Sequence, residues 1–238
     1  SVFDGKLLEF DGHLKRLNRS LSELDMQEPD AINDLLEIHR TLVRDNQVDQ
    51  GGVYLQVTRG AADRDFIYPE NVKSTLVMFT QSKDILGSKL VEKGMKVISI
   101  DDLRWGRRDI KTVQLLYPSM GKMMAKSAKC DDAWMVEDGF VTEGTSNNAY
   151  IVVDNKIITR ELSNDILHGI TRNSVLRYAE EAQMEIEERP FSVKEVMAAD
   201  EAFITSASTF VMPVVEIDGE PIGEGRPGRV SRRLREIY

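Results

Sequence analysis

The chain contains one cysteine and three histidines among its 238 residues. A lone cysteine, Cys130, cannot form an internal disulfide, which is typical of a protein in a reducing compartment. The histidines show no metal-ligand spacing with one another or with Cys130, and no short glycine-rich phosphate loop of the Walker or dinucleotide type occurs. These absences argue against metal and nucleotide chemistry.

Long apolar runs and an excess of basic residues are also missing. No stretch approaches the ~20 apolar residues that cross a bilayer, and the N-terminus has no basic start followed by an apolar segment. The formal net charge of -9 disfavours a nucleic-acid surface, which is normally basic. We expect a cytoplasmic protein without membrane or nucleic-acid partners. An arginine cluster is interpreted as the solvated side of a C-terminal helix: Arg226, Arg229, Arg232, Arg233 and Arg235.

The remaining composition, 41% hydrophobic and 30% charged, is that of a globular protein with a large core. Strand and helix patterns mix without strict alternation, which predicts an α+β fold. Asp4-Gly5 predicts a hairpin turn, Asp11 a helix cap, and Ser192 with Glu195 a capping box. The polar segment 82–88 is the predicted linker between a smaller domain, 1–84, and a larger one, 88–238.

Lys111 lies between a charged turn and an apolar run. Burial there would lower the lysine pKa, and a neutral amine can attack a carbonyl to form a Schiff base. Lys111 is therefore the first candidate nucleophile. A solvated surface lysine is the plain alternative, and position alone does not separate the two.

Two further runs accompany the block around Lys111. They are Val-Thr-Glu-Gly-Thr-Ser-Asn-Asn at 141–148 and Leu-His-Gly-Ile-Thr-Arg at 167–172. In this order and spacing, the three blocks resemble the fold-type IV pyridoxal-phosphate enzymes, and among them the D-amino-acid transaminases, over essentially the whole chain. The resemblance implies a two-domain α+β fold and pyridoxal 5'-phosphate as cofactor. Family members begin earlier, with a tyrosine that lines the substrate pocket, so the N-terminal part is expected to be incomplete.

The resemblance gives each cofactor task a residue. Lys111 would form the Schiff base and then move the α-proton, acting as base and acid in turn. Glu143 would pair with the pyridine nitrogen and keep it protonated, because a carboxylate raises the pKa of that nitrogen. From the sequence alone, Glu143 is equally a solvated turn glutamate. Other residues implied around the cofactor are Arg16, Leu167, Ile170, Thr171, Ser206 and Ala207.

The phosphate side depends most on the resemblance. Ile170 and Thr171 stand where a loop enters a helix, and free N–H groups there suit an anion, although an ordinary helix start explains them as well. Arg16 would add paired donors for the phosphate, with His13 one turn earlier in support. A solvated arginine and a satisfied histidine are the alternatives. Ala207 replaces a hydroxyl that some relatives carry.

Substrate binding is assigned by the same resemblance. The loop around Arg64 is similar to one whose arginine binds the substrate carboxylate from the neighbouring subunit, which implies a homodimer with shared sites. Phe66 stands where relatives carry histidine, so apolar side chains, or amines without a carboxylate, become candidate substrates. His13 and Ser208 complete the predicted substrate side.

The predicted activity is transfer of an amino group from a D-amino acid to a 2-oxo acid, with D-alanine and 2-oxoglutarate as the default pair. Branched-chain transaminases, (R)-amine transaminases and 4-amino-4-deoxychorismate lyase share the fold and the expected chemistry and stay open as alternatives. A cofactor-free scaffold subunit is the alternative from another class. Intact Lys111, Glu143 and Arg16 speak against it.

Overall fold

A computed structural model describes residues 1–238, which divide into two compact units, Ser1–Leu86 and Gly87–Tyr238. Both units combine helices with β-sheet, so the α+β prediction is confirmed.

The N-terminal unit contains a four-stranded antiparallel sheet in the order β2-β1-β3-β4. The two residues of the predicted hairpin turn, Asp4 and Gly5, have φ angles of 50° and 65°, and Val2 pairs with Leu7 across it. A 3₁₀ turn at Ile32–Asp34 precedes the second helix. The elements are β1 (Val2–Phe3), β2 (Lys6–Leu7), α1 (Phe10–Glu23), α2 (Leu35–Asp45), β3 (Gly51–Thr58) and β4 (Thr75–Ser82).

The helix cap predicted at Asp11 is wrong. The helix α1 begins at Phe10, and its N-cap residue is Glu9, with a left-handed φ of 54°. A capping side chain must lie just outside the helix to accept a bond from the second or third N–H, and Asp11 lies inside the first turn. Its charge can still interact favourably with the positive end of the helix dipole.

The C-terminal unit contains a nine-stranded mixed sheet in the order β10-β9-β8-β11-β12-β5-β6-β7, with β13 beside β12. Strand β5 runs parallel to β6 and β12, and β9 runs parallel to β10, while the other pairs are antiparallel. Its strands are β5 (Met95–Asp101), β6 (Asp132–Glu137), β7 (Phe140–Gly144), β8 (Asn148–Val153), β9 (Lys156–Thr159), β10 (Ile186–Glu188), β11 (Glu201–Ser206), β12 (Phe210–Ile217) and β13 (Glu220–Pro221). Its helices are α3 (Leu90–Lys93), α4 (Leu116–Ser127), α5 (Ile170–Glu181), α6 (Val193–Ala198) and α7 (Arg229–Ile237).

Alternating apolar side chains of this sheet form the larger core. Trp134 is fully buried and lies edge-on to Phe191, and a second cluster on Tyr150 and Phe203 lies where α5 and α7 pack. The predicted capping box is present, because Ser192 accepts from the Glu195 N–H and the Glu195 carboxylate accepts from the Ser192 N–H. No helix is both long enough and apolar enough to cross a lipid bilayer.

One member of the C-terminal arginine cluster is not solvated as predicted. Arg226 is exposed but precedes α7, so it is not on the helix as predicted. Arg229, Arg232 and Arg233 are exposed on α7, but Arg235 is only partly exposed. Its guanidinium donates 2.7 Å hydrogen bonds to the carbonyl oxygens of Thr209 and Val211, and burial lowers its pKa. An arginine aimed at two carbonyls fixes α7 to the start of β12.

Candidate active site

Glu143 lies inside strand β7 and is buried, so it is not the solvated turn glutamate that the sequence alone allowed. One carboxylate oxygen, Oε2, accepts hydrogen bonds from the Asn148 side-chain amide at 3.0 Å and the Leu167 N–H at 3.1 Å. The other, Oε1, accepts from Arg104 Nη1 at 2.7 Å. Burying a carboxylate without partners would be costly, and here three donors hold it in a fixed position.

Asn148 joins Glu143 to the loop that carries Leu167. Its amide nitrogen also donates to the Leu167 carbonyl at 2.9 Å. Gly169 packs so closely that a Cβ added there would stand 2.1 Å from Asn148 Oδ1. Any larger residue at position 169 would force the Asn148 amide to move.

The helix α5 begins at this same loop. Gly169 is its N-cap residue in extended conformation, no side chain caps the helix, and Ile170 and Thr171 are buried in the first turn. Uncapped N–H groups and the positive end of a helix dipole are suited to an anion.

The end of β11 lies beside the same residues, because Thr205 pairs with Asn148 in the sheet register. Ser206 ends that strand and its hydroxyl lies 2.7 Å from the Thr209 hydroxyl and 3.3 Å from that of Ser208. Ala207 follows and offers only its backbone. The sheet therefore brings together five predicted cofactor residues from distant parts of the sequence: Glu143, Leu167, Ile170, Thr171 and Ser206.

Charged side chains surround Glu143 on the side of β5. Arg104 binds both Glu143 and the buried Asp102, which follows β5. Burial raises the pKa of Glu143, and the charge and hydrogen bond of Arg104 oppose that rise. Burial would also raise the pKa of Asp102, but the hydrogen bonds and charges of its partners, Arg104 first, lower it overall.

Lys111 is exposed in this chain, and the residues that follow it, including Val113 and Leu115, are exposed as well. The burial on which its predicted reactivity rested is therefore contradicted. The apolar run after Lys111 is not part of the core of the unit. The preceding segment is fixed, because the Arg108 N–H donates to the Asn164 carbonyl at 2.9 Å, and the Arg108 side chain is buried.

The other predicted site residues belong to the N-terminal unit. Arg16 lies on α1 with Nη2 3.3 Å from His13 Nδ1, and burial lowers the pKa of Arg16 to about 10. Arg64 and Phe66 lie in the exposed loop between β3 and β4, with the guanidinium carbon 5.4 Å from the phenyl centroid.

Three residues of the site had no sequence signal that identified them. Arg104 and Asp102 belong to a charged stretch that resembles a solvated turn, and Asn148 is the last residue of the block around Glu143. Each acts through contacts made across the sheet, and none has a distinctive residue spacing.

Known proteins agree with this architecture. The family of class IV aminotransferases matches residues 1–217. A D-alanine aminotransferase from Staphylococcus epidermidis is 38% identical over 238 residues, which are 100% of this chain and 84% of that protein. A branched-chain amino acid aminotransferase from Escherichia coli has the same fold, with a TM-score of 0.87 at 22% identity, covering 94% of this chain and 76% of that one.

A T.th. branched-chain amino acid aminotransferase, complexed with N-(5'-phosphopyridoxyl)-L-glutamate, is 29% identical, with a TM-score of 0.82 over 96% of this chain and 76% of that one. The chain belongs to the class IV aminotransferases and has the fold-type IV architecture. It is an aminotransferase, and its cofactor is pyridoxal 5'-phosphate. The residues present fit that group, because a buried ionisable acceptor, Glu143, lies near an uncapped helix end suited to a phosphate.

Proposed function

We propose that this protein transfers the amino group of a D-amino acid, with D-alanine as the default donor, to a 2-oxo acid, with 2-oxoglutarate as the default acceptor. The observation that carries the proposal is the 38% identity to a D-alanine aminotransferase over the full 238 residues. The exposed Arg64 in the loop between β3 and β4 supports it, because a guanidinium suits a planar carboxylate.

The cofactor supplies the electron sink that acidifies the α-carbon of an amino acid. Lys111 is the proposed point of covalent attachment. Once displaced by the amino donor, its amine would take up the α-proton as a base and give it back as an acid. Glu143 is the proposed partner of the ring nitrogen, and its buried carboxylate would keep that nitrogen protonated. The α5 N-terminus and Arg16 are the proposed phosphate donors, together with Ser206.

Phe66 is proposed to set the preference among donors. Its side chain is 89% exposed, and it stacks near Arg64 in the same loop. An aromatic ring gives an apolar wall where a polar donor would favour charged side chains. We therefore expect apolar D-amino acids to react better than acidic ones.

A homodimer with shared active sites is part of the proposal. Helix α4 has four exposed apolar side chains at helical spacing on one side, and such an exposed apolar face supports an interface with a second copy. These side chains are Leu116, Met120, Met123 and Met124. The exposed loop that carries Arg64 and Phe66 is then available to a neighbouring copy.

The donor is tested with D-alanine, L-leucine and (R)-phenylethylamine in turn, each with 2-oxoglutarate. We expect pyruvate and glutamate to accumulate only with D-alanine at a substantial rate. Transfer from L-leucine alone would reject the substrate assignment and favour a branched-chain activity, and transfer from the amine alone would favour an amine transaminase.

Lys111 is tested separately with Lys111→Ala. Borohydride treatment of the protein with bound cofactor should add the cofactor mass to the parent and not to the variant, and turnover should fall by roughly 10³-fold, within the range of a positioned acid–base group. Lys126→Ala is the matched control, since Lys126 is also exposed and lies on α4. An adduct that survives in Lys111→Ala contradicts the assignment.

A further inference from the structure

A network of charged side chains with little exposure begins at Glu143. Arg104 lies between two carboxylates, with Nη1 2.7 Å from Glu143 Oε1, Nε 2.9 Å from Asp102 Oδ1 and Nη2 2.6 Å from Asp102 Oδ2. The Arg104 side chain is 12% exposed and that of Asp102 is 0% exposed. Solvent therefore screens little of their interaction.

The contacts of Arg104 are unequal. Its fork is bidentate toward Asp102, a geometry that fixes the plane of the guanidinium, and only one nitrogen remains for Glu143. Without Asp102 the guanidinium could rotate and pair both of its terminal nitrogens with Glu143. That pairing would place the whole positive charge of Arg104 on one carboxylate.

Asp102 is itself held from three sides. The hydroxyl of Thr142, the residue before Glu143, lies 2.6 Å from Oδ2. The Arg104 N–H donates to Oδ1 at 3.2 Å, and Arg108 Nη1 lies 3.4 Å from Oδ2. Arg108 in turn pairs with Glu137, which is partly exposed. Asp102 is therefore the fixed point of the network and not an incidental neighbour.

The charges decide what this arrangement does for Glu143. One guanidinium shared by Asp102 and Glu143 leaves the three groups with a net charge of −1. A guanidinium paired with Glu143 alone would leave that pair neutral. A carboxylate neutralised in this way attracts a proton on a ring nitrogen only weakly. Sharing gives the buried Glu143 a charged partner and leaves it part of its negative charge.

We propose that Asp102 is a positioning residue that holds Arg104 in the shared geometry, so that Glu143 keeps the orientation and negative charge with which it retains the proton on the cofactor's ring nitrogen. This inference rests on the proposed function of Glu143. Asp102 touches neither cofactor nor substrate in this scheme and acts only through Arg104.

The test uses Asp102→Asn in the cofactor-loaded protein, because asparagine keeps the shape and removes the charge. Pyridoxal 5'-phosphate labelled with ¹⁵N in the ring reports directly whether the ring nitrogen carries a proton. We expect the protonated signal across the working pH range in the parent and loss of the proton within that range in the variant. Turnover should fall by about 10- to 100-fold, the usual effect of disturbing a group behind a site, with KM changed less.

Glu201→Gln is the matched control. Glu201 also accepts several hydrogen bonds, from Val230 and Ser231 at the start of α7, but it lies at the opposite end of β11 from Ser206. Its variant should lower thermal stability and leave the ¹⁵N signal at its parent position. A purely structural role for Asp102 would make Asp102→Asn behave in the same way.

A parent-like ¹⁵N signal and pH profile in Asp102→Asn overturns the proposal. If that variant does not fold, Thr142→Val decides, since it removes only the hydroxyl that holds Asp102, and it should shift the signal in the same direction by less. A parent-like signal in Thr142→Val then overturns the proposal. Failure of the parent protein to bind the cofactor would instead reject the proposed function, which keeps the two failures distinguishable.

Discussion

Replacing Arg104 by methionine should destabilise the C-terminal unit strongly. The substitution removes the charge but keeps a long apolar side chain, so Asp102 and Glu143 lose their shared partner while their side chains stay 0% and 5% exposed. Removing one partner of a buried ion pair costs about 3–5 kcal/mol, because the remaining charge is left uncompensated. For a unit of this size that cost corresponds to a fall in Tm of roughly 6–20 °C.

The loss should depend on pH with a definite sign. Arg104 lowers the pKa of both carboxylates, so its removal raises both in the folded state. A raised folded pKa contributes stability below the unfolded value, and that stability is lost as pH rises. The variant should therefore approach the parent near pH 5 and fall furthest behind it near pH 8.

Tryptophan fluorescence isolates the unit in question. The two tryptophans, Trp105 and Trp134, both lie in the C-terminal unit, and Trp134 is fully buried. Thermal unfolding followed by fluorescence at pH 5 and pH 8 therefore reports on that unit alone. Arg233→Met is the control, since the Arg233 side chain is 60% exposed and should contribute under about 1 kcal/mol. A loss that is small, or equal at both pH values, would refute the reasoning.

Two more predictions concern the cofactor site and the apolar face of α4. Gly169→Ala should weaken cofactor binding at least about tenfold, because the new Cβ displaces Asn148 from Glu143. Equilibrium dialysis measures the affinity, with Gly52→Ala as a control because a Cβ there meets no atom within 4 Å, and equal affinities would contradict this reasoning. Met123→Glu should convert a dimer into a monomer at micromolar concentration by light scattering, because an ionised group cannot be buried there without a partner. A parent protein that is already monomeric would contradict the interface.

Local chemistry explains which parts of the fold could be predicted from sequence. The turn at Asp4-Gly5 and the capping box at Ser192 both depend on residues within four positions of one another, and both are present. The start of α1 also depends on neighbouring residues. Its deciding feature is the left-handed backbone of Glu9, which no residue preference indicates. The prediction that Arg235 is solvated was wrong because its hydrogen-bond acceptors, the carbonyls of Val211 and Thr209, are 24 and 26 residues away in sequence.

The buried network behind Glu143 depends on strand pairing and has no local pattern. Asp102 follows β5, and its N–H donates to the Val136 carbonyl of β6, whose antiparallel partner is Val141. That pairing places Asp102 beside Thr142 and Glu143, across 40 residues of sequence. The charged residues of this stretch can be read from the sequence, but the strand register that buries them cannot.

The same distinction applies to Lys111, where the local argument was wrong. A charged turn before an apolar run predicted a buried amine, yet the charges of Arg108 and Asp109 are the groups that are buried, and Lys111 is exposed. Desolvation within this chain therefore cannot be what activates the lysine. Its proposed role must rest on attachment to the cofactor and on the fixed segment that precedes it. Hence the borohydride adduct, and not the burial of the lysine, is the observation that decides its role.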